Sequence, residues 1–366
     1  AMMHADNWHE GNVIKYIYKE KNLISHKISR ILKVLGEEGL QREFFRYYIS
    51  SLTHSLEGII IDTTALPNGI HIPFNNWGYN DGSIDKQIRF LCVVDKKQHM
   101  PLYFRYLPGN IVDVSTLSVT ISELKRYGIL KSFVLIDAGF FSEENIRELY
   151  SEGIDFLTRL PSSRTIYREL IKQEASGIER VENAILYGKR ALFVKEKEID
   201  LYGNKGYAYI ILDPERKGRE TKRLLIELLQ DNRDDDKVYK LLKQGIMILL
   251  SSSPIDKKEV VSLYYLRQNV ESLFGFSKDD LNLIPLRVHK EETLRGYLFL
   301  IFIALIVFSE LKKTIGTKYT VEEILLVLRN LKCKVYDNEL IVQELTKIQK
   351  NIFEDLNVIV PKKMGI

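Results

Sequence analysis

The chain has 366 residues, of which 45% are hydrophobic and 28% charged, and its formal net charge is +4. This composition is typical of a folded protein with one large domain or two smaller ones, and the slight positive excess favours polyanionic partners. Cys92 and Cys333 are far apart in the sequence, which excludes a disulfide framework and a cysteine zinc site and fits a reducing cytosol.

The sequence predicts a cytoplasmic protein that does not enter a membrane. Its N-terminus is polar and lacks the apolar segment of a signal peptide. The most apolar run, residues 297–308, is about a dozen residues long, whereas roughly 20 are needed to span a bilayer. We therefore expect this run to form a helix that is buried in the core.

The first half of the chain predicts an α/β fold. Residues 1–54 have the apolar spacing of helices, and short β-branched runs follow them. Strands are predicted at residues 58–62, 88–94, 102–106, 133–137 and 154–160, and helices at residues 115–127 and 142–150, with Ser142 as the N-cap of the second. This order predicts a mixed sheet with helices packed on it.

The second half begins with a segment of different character, which we interpret as a β-rich insertion at residues 166–255. Strands are predicted there at residues 191–195, 198–202 and 207–212. A basic cluster follows, and it is either a solvated loop or a phosphate-contacting surface. The cluster consists of Arg216, Lys217, Arg219, Lys222 and Arg223.

Helical patterning returns near residue 257 and ends in a small helical tail at residues 318–366. The predicted organisation is therefore an N-terminal helical region, a core in two parts separated by the insertion, and a C-terminal tail. Its boundaries are 1–54, 55–165, 166–255, 256–312 and 313–366.

The segment from residue 264 to residue 278 is the most informative part of the chain. Tyr264, Arg267, Glu271 and Lys278 are separated by three, four and seven residues, which places them on one face of a continuous helix. A carboxylate between two cations and a phenol suits a metal ion with a nearby phosphate. The alternative is a solvated face whose charges form ion pairs along the helix.

Two aspartates, Asp62 and Asp137, end predicted buried strands. Either could simply start a turn, where aspartate is common. Together with Glu271 they would form an acidic cluster, and such clusters bind Mg²⁺ or Mn²⁺ through oxygen ligands. Two such ions can activate water or a 3′-hydroxyl and stabilise the leaving oxygen in phosphodiester chemistry.

These motifs resemble those of bacterial insertion-sequence transposases with a DDE catalytic domain, of the insertion-sequence-4 family. The resemblance covers about residues 55–310. It rests on Asp62-Thr63-Thr64, on Leu107-Pro108-Gly109-Asn110 with Asp113, on Ile136-Asp137-Ala138-Gly139-Phe140, and on the Tyr264, Arg267, Glu271 and Lys278 signature.

The resemblance implies a ribonuclease-H-like mixed sheet with flanking helices, interrupted by the β-rich insertion. It also implies that Asp62, Asp137 and Glu271 bind two Mg²⁺ or Mn²⁺ ions. The remaining signature residues, Tyr264, Arg267 and Lys278, would contact phosphates of double-stranded DNA at the transposon end. The implied reaction cuts the element end, forms and resolves a hairpin, and joins the 3′-hydroxyl to target DNA.

Two departures from the resemblance leave alternatives open. The segment before the first strand, residues 1–54, is shorter than the DNA-binding domain of relatives, so end recognition is reduced or the copy is shortened. Relatives that form hairpins hold a flipped base on a tryptophan of the insertion, but Trp8 and Trp77 lie elsewhere. Three insertion tyrosines could replace it by stacking, or could simply pack in the sheet. These are Tyr202, Tyr207 and Tyr209.

Three hypotheses follow from these patterns: an active transposase, a non-catalytic DNA-binding remnant that regulates transposition, and a metal-dependent nuclease of the same fold. Because two DNA ends must be paired, a transposase is expected to be a homodimer on DNA. The C-terminal tail is the expected dimerisation element.

Overall fold

A mixed β-sheet forms where short β-branched and aromatic runs recur along the chain. The computed structural model describes residues 4–18, 23–52, 56–80, 82–129, 133–230 and 236–365, so the predicted boundary between residues 54 and 55 lies outside it. The strands of this sheet are β1 (Gly58–Pro67), β2 (Asn76–Asn80), β3 (Ser83–Asp95), β4 (Pro101–Pro108), β5 (Phe133–Ile136), β6 (Phe156–Arg159), β7 (Ala184–Tyr187), β8 (Arg190–Leu201), β9 (Asn204–Leu212) and β10 (Ile246–Ser251).

Helices cover both faces of the sheet, and a second, small sheet lies near the C-terminus. The helices are α1 (Ala5–Glu10), α2 (Ile14–Ile17), α3 (Ser25–Leu35), α4 (Glu38–Leu52), α5 (Leu117–Arg126), α6 (Glu143–Ser151), α7 (Thr165–Glu174), α8 (Pro214–Gln230), α9 (Lys237–Leu242), α10 (Val260–Tyr265), α11 (Gln268–Asp279), α12 (Glu291–Ile315), α13 (Val321–Arg329) and α14 (Lys347–Asp355). The small sheet consists of β11 (Cys333–Val335), β12 (Glu339–Val342) and β13 (Lys363–Gly365).

The core of the large sheet has the order β4-β3-β1-β5-β6. Strand β1 pairs antiparallel with β3 and parallel with β5, and β5 pairs parallel with β6. Each parallel connection carries a helix, α5 or α6, and the Ser142 hydroxyl caps α6 by accepting a hydrogen bond from the Asn145 amide, as predicted. This mixed sheet with flanking helices confirms the predicted ribonuclease-H-like α/β fold.

The strands of residues 166–255 continue the same sheet. Strand β10 pairs antiparallel with both β6 and β9, and β8 and β7 follow outward. The two strands predicted at 191–195 and 198–202 are one strand, β8, because β9 pairs with it without a break from Phe193 to Leu201. The basic cluster, for which a solvated loop was one of two alternatives, lies on helix α8, where the Asp213 side chain accepts from the amides of Glu215 and Arg216.

Helix α12 is the central helix of the hydrophobic core, as predicted for residues 297–308. Leu298, Phe302 and Leu305 on it are completely buried. In the described part of the chain, α12 is also the one helix that is long and apolar enough to cross a membrane, and half of its most apolar window is buried inside the protein.

The C-terminal tail differs from the helical prediction. Helices α13 and α14 do form, each behind a capping box that begins at Thr320 or Thr346. Between and after them, however, β11, β12 and β13 pair into an antiparallel sheet. Strands of three or four residues carry too little alternating pattern to be distinguished from loops in the sequence.

Candidate active site

Pairing in the sheet brings Asp62 and Asp137 side by side. Strand β1 was predicted to end at Asp62. It instead runs on to Pro67, because β3 pairs with it up to that residue. Asp137 directly follows β5, as expected. In the parallel β1–β5 pair, Ile61 lies opposite Ile136, so the aspartate that follows each of them emerges at the same level.

The predicted helix that carries Glu271 is two helices. Between α10 and α11 the chain forms a tighter turn, in which the Arg267 amide donates to the Tyr264 carbonyl and the Val270 amide donates to the Arg267 carbonyl. Both bonds span three residues instead of four. Tyr264 is therefore buried and Arg267 points inward, whereas the Glu271 side chain is 58% exposed.

Arg267 is the centre of the cluster. Its Nη2 lies 3.0 Å from Oδ2 of Asp62, and its Nη1 lies 3.0 Å from Oδ1 of Asp137. Glu271 is farther away, with 3.9 Å between its Oε1 and Nη2 of the guanidinium. Tyr264 completes the group, since its hydroxyl donates to Oδ1 of Asp137 at 2.9 Å and accepts from Nη1 of Arg267 at 3.0 Å.

The charges in this cluster depend on one another. Burial raises the pKa of Asp62 to about 6; the Arg267 guanidinium opposes this shift, and the neighbouring Asp137 carboxylate adds to it. Burial alone would lower the pKa of Arg267, but the carboxylates of Asp62 and Asp137 hold it above its usual range. Arg267 is thus the counter-ion that permits the buried Asp62 to lie beside the partly exposed Asp137.

A second, partly buried ion pair lies beside the first and joins Asp113 to Arg89. Asp113 Oδ1 accepts a hydrogen bond from the Thr63 hydroxyl at 2.8 Å and lies 2.9 Å from Nη2 of Arg89. A Cβ atom at Gly139 would lie 2.7 Å from Asp113 Oδ2, so the residue two positions after Asp137 must be small. Asp113 therefore contacts the segments that follow both Asp62 and Asp137.

Sequence reasoning assigned no role to Asp113 or Arg89. Asp113 was recognised as part of a motif, but Arg89 lies within an apolar strand pattern and gave no signal. Arg159 was also missed; it ends β6 opposite the end of β5, and its charge acts on the Tyr264 hydroxyl.

The other predicted contact residues lie apart from the carboxylates or are buried. Lys278 lies two helical turns beyond Glu271 on α11, roughly 10 Å along the helix axis. Tyr209 is completely buried, and its hydroxyl accepts from the Ile255 amide at 2.6 Å, so the suggestion that it stacks on a DNA base is wrong. Tyr202 and Tyr207 are partly exposed, with Arg147 and Lys205 over their rings.

The donor atoms of the cluster are suited to a hard divalent cation. Asp62, Asp137 and Glu271 offer carboxylate oxygens, the ligands that Mg²⁺ and Mn²⁺ prefer. As the side chains stand, no three acidic, histidine or cysteine residues in the described ranges are close enough together to hold a metal ion. The three acids instead surround the guanidinium of Arg267, which already provides one positive charge.

Comparisons with known proteins identify the family of the chain. The transposase DDE domain family matches residues 53–307, which include all three carboxylates. Among solved structures, the chain is similar to a piggyBac transposase in a synaptic complex with hairpin DNA, with 12% identity and a TM-score of 0.42 over 82% of this chain. The match covers 51% of that protein, so the chain spans about half of its length.

A search of curated proteins finds no match. Because the family match extends over most of its length, the chain belongs to the transposase DDE domain family.

Proposed function

We propose that this protein is a DNA transposase that cuts at the ends of its element and transfers the 3′-hydroxyl ends to target DNA. The observation that carries the proposal is the convergence of Asp62, Asp137 and Glu271, from three separate segments of the family-matched region, around one cation. The sequence motifs further support a bacterial element of the insertion-sequence-4 type, acting in the cytoplasm.

In this proposal, Asp62, Asp137 and Glu271 hold Mg²⁺ or Mn²⁺, with two ions expected. When bound, such ions supply the activation of water or of a 3′-hydroxyl and the stabilisation of the leaving oxygen. Water adds to the scissile phosphorus and releases a 3′-hydroxyl, and that hydroxyl then attacks the phosphodiester of the receiving strand. In this second attack, one phosphorus–oxygen bond forms for each one that breaks, and the attacked strand is left with a free 3′-hydroxyl end.

Arg267, Tyr264 and Lys278 are proposed to contact DNA phosphates. Arg267 is bonded to the aspartates, so it would have to release them before it could reach a phosphate. Its planar fork suits either a carboxylate or a phosphate, which makes such an exchange chemically reasonable. The Tyr264 hydroxyl donates to Asp137, so Tyr264 too would have to release an aspartate before it could contact a phosphate.

A homodimer is proposed as the active form on DNA, with the C-terminal segment as its interface. Leu326 on α13 is 63% exposed and Ile359 is 93% exposed, so both side chains are accessible to a partner. Replacing both with aspartate should abolish DNA-dependent dimers in analytical ultracentrifugation. A pair of equally exposed residues elsewhere, Val181 and Leu186, provides the control. If dimers persist in the Leu326 and Ile359 variant but are lost in the Val181 and Leu186 variant, this interface is contradicted.

The experiment that tests the function uses a plasmid carrying the inverted repeats that flank the gene, incubated with the purified protein and Mg²⁺ or Mn²⁺. Cut repeat tips together with strands joined to target DNA are the expected products. Cut strands without joining would instead identify a nuclease. DNA binding without cutting would identify a regulatory protein.

A further inference from the structure

A cavity lined by arginines lies at the free edge of the sheet, apart from the carboxylates. It has a volume of about 550 Å³ and lies between α4, the edge strand β4, α5 and the start of α12. Five arginines and two glutamates line it, so positive charge is in excess. The arginines are Arg42, Arg46, Arg105, Arg126 and Arg295.

Two of these arginines belong to the cavity floor. The Arg105 side chain donates to the Thr120 hydroxyl at 3.1 Å and lies 3.2 Å from Glu123, and Arg295 lies 2.9 Å from Glu38. The buried Nε of Arg295 has no hydrogen-bond partner among the residues that the structure describes. Tyr103, whose hydroxyl donates to Glu123 at 3.0 Å, completes a floor that is fixed before any ligand binds.

The other three arginines form an exposed rim. Arg42, Arg46 and Arg126 are exposed, Arg42 lies 3.5 Å from Glu38, and all three guanidinium groups act electrostatically on the hydroxyl of Tyr127, which also lines the cavity. Burial raises the pKa of Tyr127, and the three guanidinium groups oppose that shift. Three exposed, permanently charged guanidinium forks that line one cavity are suited to several anionic oxygens at once.

We propose that this cavity, which we call the arginine pocket, binds the phosphate backbone of duplex DNA as a second contact outside the carboxylate site. The proposal rests on the proposed function, because a DNA-joining enzyme must hold more DNA than the scissile phosphate. In the sheet, Thr63 pairs with Leu91 and Leu91 pairs with Arg105, so two strand spacings, roughly 10 Å, separate the β1 and β4 backbones at this level. The arginine pocket is therefore close to the carboxylates but distinct from them.

A backbone polyanion fits the arginine pocket better than a single small anion does. The rim arginines lie on two different helices, α4 and α5, that line the same cavity. Such a spread of charge matches phosphates that repeat along a strand, and each phosphate neutralised releases counter-ions from DNA. A free nucleotide shares the phosphate chemistry, so the test must separate the two sources.

The test compares three proteins in equilibrium binding to a short duplex of arbitrary sequence, without divalent ions, over a range of salt concentrations. The first is the wild type, and the second carries Arg42→Gln, Arg46→Gln and Arg126→Gln. The third is a matched control in which three exposed cations with carboxylate partners are changed in the same way. These control changes are Arg180→Gln, Lys205→Gln and Lys363→Gln.

We expect the rim variant to lose at least tenfold in duplex affinity at moderate salt. We also expect its slope of log K against log salt to be smaller by about 2 to 3, since roughly 0.9 is contributed by each neutralised phosphate. The control should keep the wild-type slope. Lysines at the same three rim positions should largely restore it, because they keep the charge, and this rescue separates a binding role from damage to the fold.

Three outcomes would overturn the proposal. A rim variant with the same slope as the control would remove the arginine pocket from DNA binding and leave the proposed function intact. Displacement of the duplex from wild type by ATP at low concentration, absent in the rim variant, would make the arginine pocket a nucleotide site. Failure of all three proteins to bind duplex would count against the proposed function as well.

Discussion

Arg267 is both the residue that organises the carboxylates and the residue that occupies the space between them. The buried Asp62 and the partly exposed Asp137 repel each other, and the guanidinium within 3.0 Å of each offsets that repulsion. The same contacts imply competition, because a divalent cation bound by these acids provides the charge that Arg267 now provides. Arg267 should therefore stabilise the metal-free protein and weaken its affinity for metal.

Arg267→Gln tests that competition. Loss of the charged partner from a buried ion pair should lower the free energy of unfolding by about 3 kcal/mol in the absence of divalent ions. Millimolar Mg²⁺ should raise the melting temperature of the variant more than that of wild type, because the acids are then without a counter-ion.

The matched control is Arg295→Gln, since the Arg295 side chain is 18% exposed against 12% for Arg267 and pairs with Glu38 instead. Equal stabilisation of all three proteins by Mg²⁺, measured by thermal unfolding, would contradict the assignment of the carboxylates to a metal site.

Gly139→Ala tests whether Asp113 positions Asp62 and Asp137, the proposed catalytic aspartates. The new methyl group would lie 2.7 Å from Asp113 Oδ2 and must displace either Asp113 or the turn after Asp137. A displacement of about 1 Å can cost a hundredfold in rate. We expect the rate of DNA cleavage to fall at least tenfold while the dissociation constant for DNA stays near that of wild type.

Gly218→Ala on α8 is the control, since nothing lies within 4 Å of the added atom. It should leave cleavage unchanged and stabilise the helix by up to about 1 kcal/mol. If Gly139→Ala cleaves as fast as this control, Asp113 does not act as a positioning residue.

At the scale of elements, the sequence was a good guide to strands and a poor one to the helix that carries Glu271. The β-branched run before Asp62 and the Ser142 cap are local signals, and both elements begin where they were expected, although β1 runs on past Asp62 to Pro67. Leu266 and Arg267 are good helix formers, and no proline or glycine marks the break between α10 and α11. The break follows from tertiary contacts, because Arg267 must reach Asp62 and Asp137 on the sheet.

The crossing of α3 and α12 depends on two glycines. A Cβ atom at Gly296 would lie 1.7 Å from the Leu32 carbonyl oxygen, and one at Gly36 would lie 1.9 Å from that of Glu292. Gly296→Ala must therefore push the helices apart, and it should lower the free energy of unfolding in urea by about 1–3 kcal/mol. Gly275→Ala on α11, where the added atom meets nothing within 4 Å, should not. Equal stabilities of the two variants would show that the crossing is loosely packed.

At the scale of the whole molecule, the sequence did not predict which strands pair when they are far apart in the chain. Strand β10 joins β6 about 90 residues after it, so the strands of residues 166–255 extend the core sheet. Strand patterns carry information about which face is buried, and they do not identify the partner strand. The arginine pocket has the same origin, since Arg42, Arg105 and Arg295 meet only through the packing of α4, β4 and α12.

The carboxylate site was more predictable because its members were marked individually. Asp62 and Asp137 follow buried runs, and Glu271 belongs to a motif with regular spacing. What the sequence could not indicate was the internal ion pairing by Arg267, because the sequence contains no information about the side chain with which a buried cation pairs.

The most direct test of the central claim is Mn²⁺-dependent cleavage at the element ends by wild type and by Glu271→Gln. Glu227→Gln, a change of an exposed glutamate on α8, serves as the matched control. If Glu271 acts with Asp62 and Asp137 in binding metal, Glu271→Gln should cleave about a thousandfold more slowly than wild type while still binding the ends, and Glu227→Gln should cleave normally. Unchanged cleavage by Glu271→Gln would contradict the assignment of these three carboxylates to the catalytic centre.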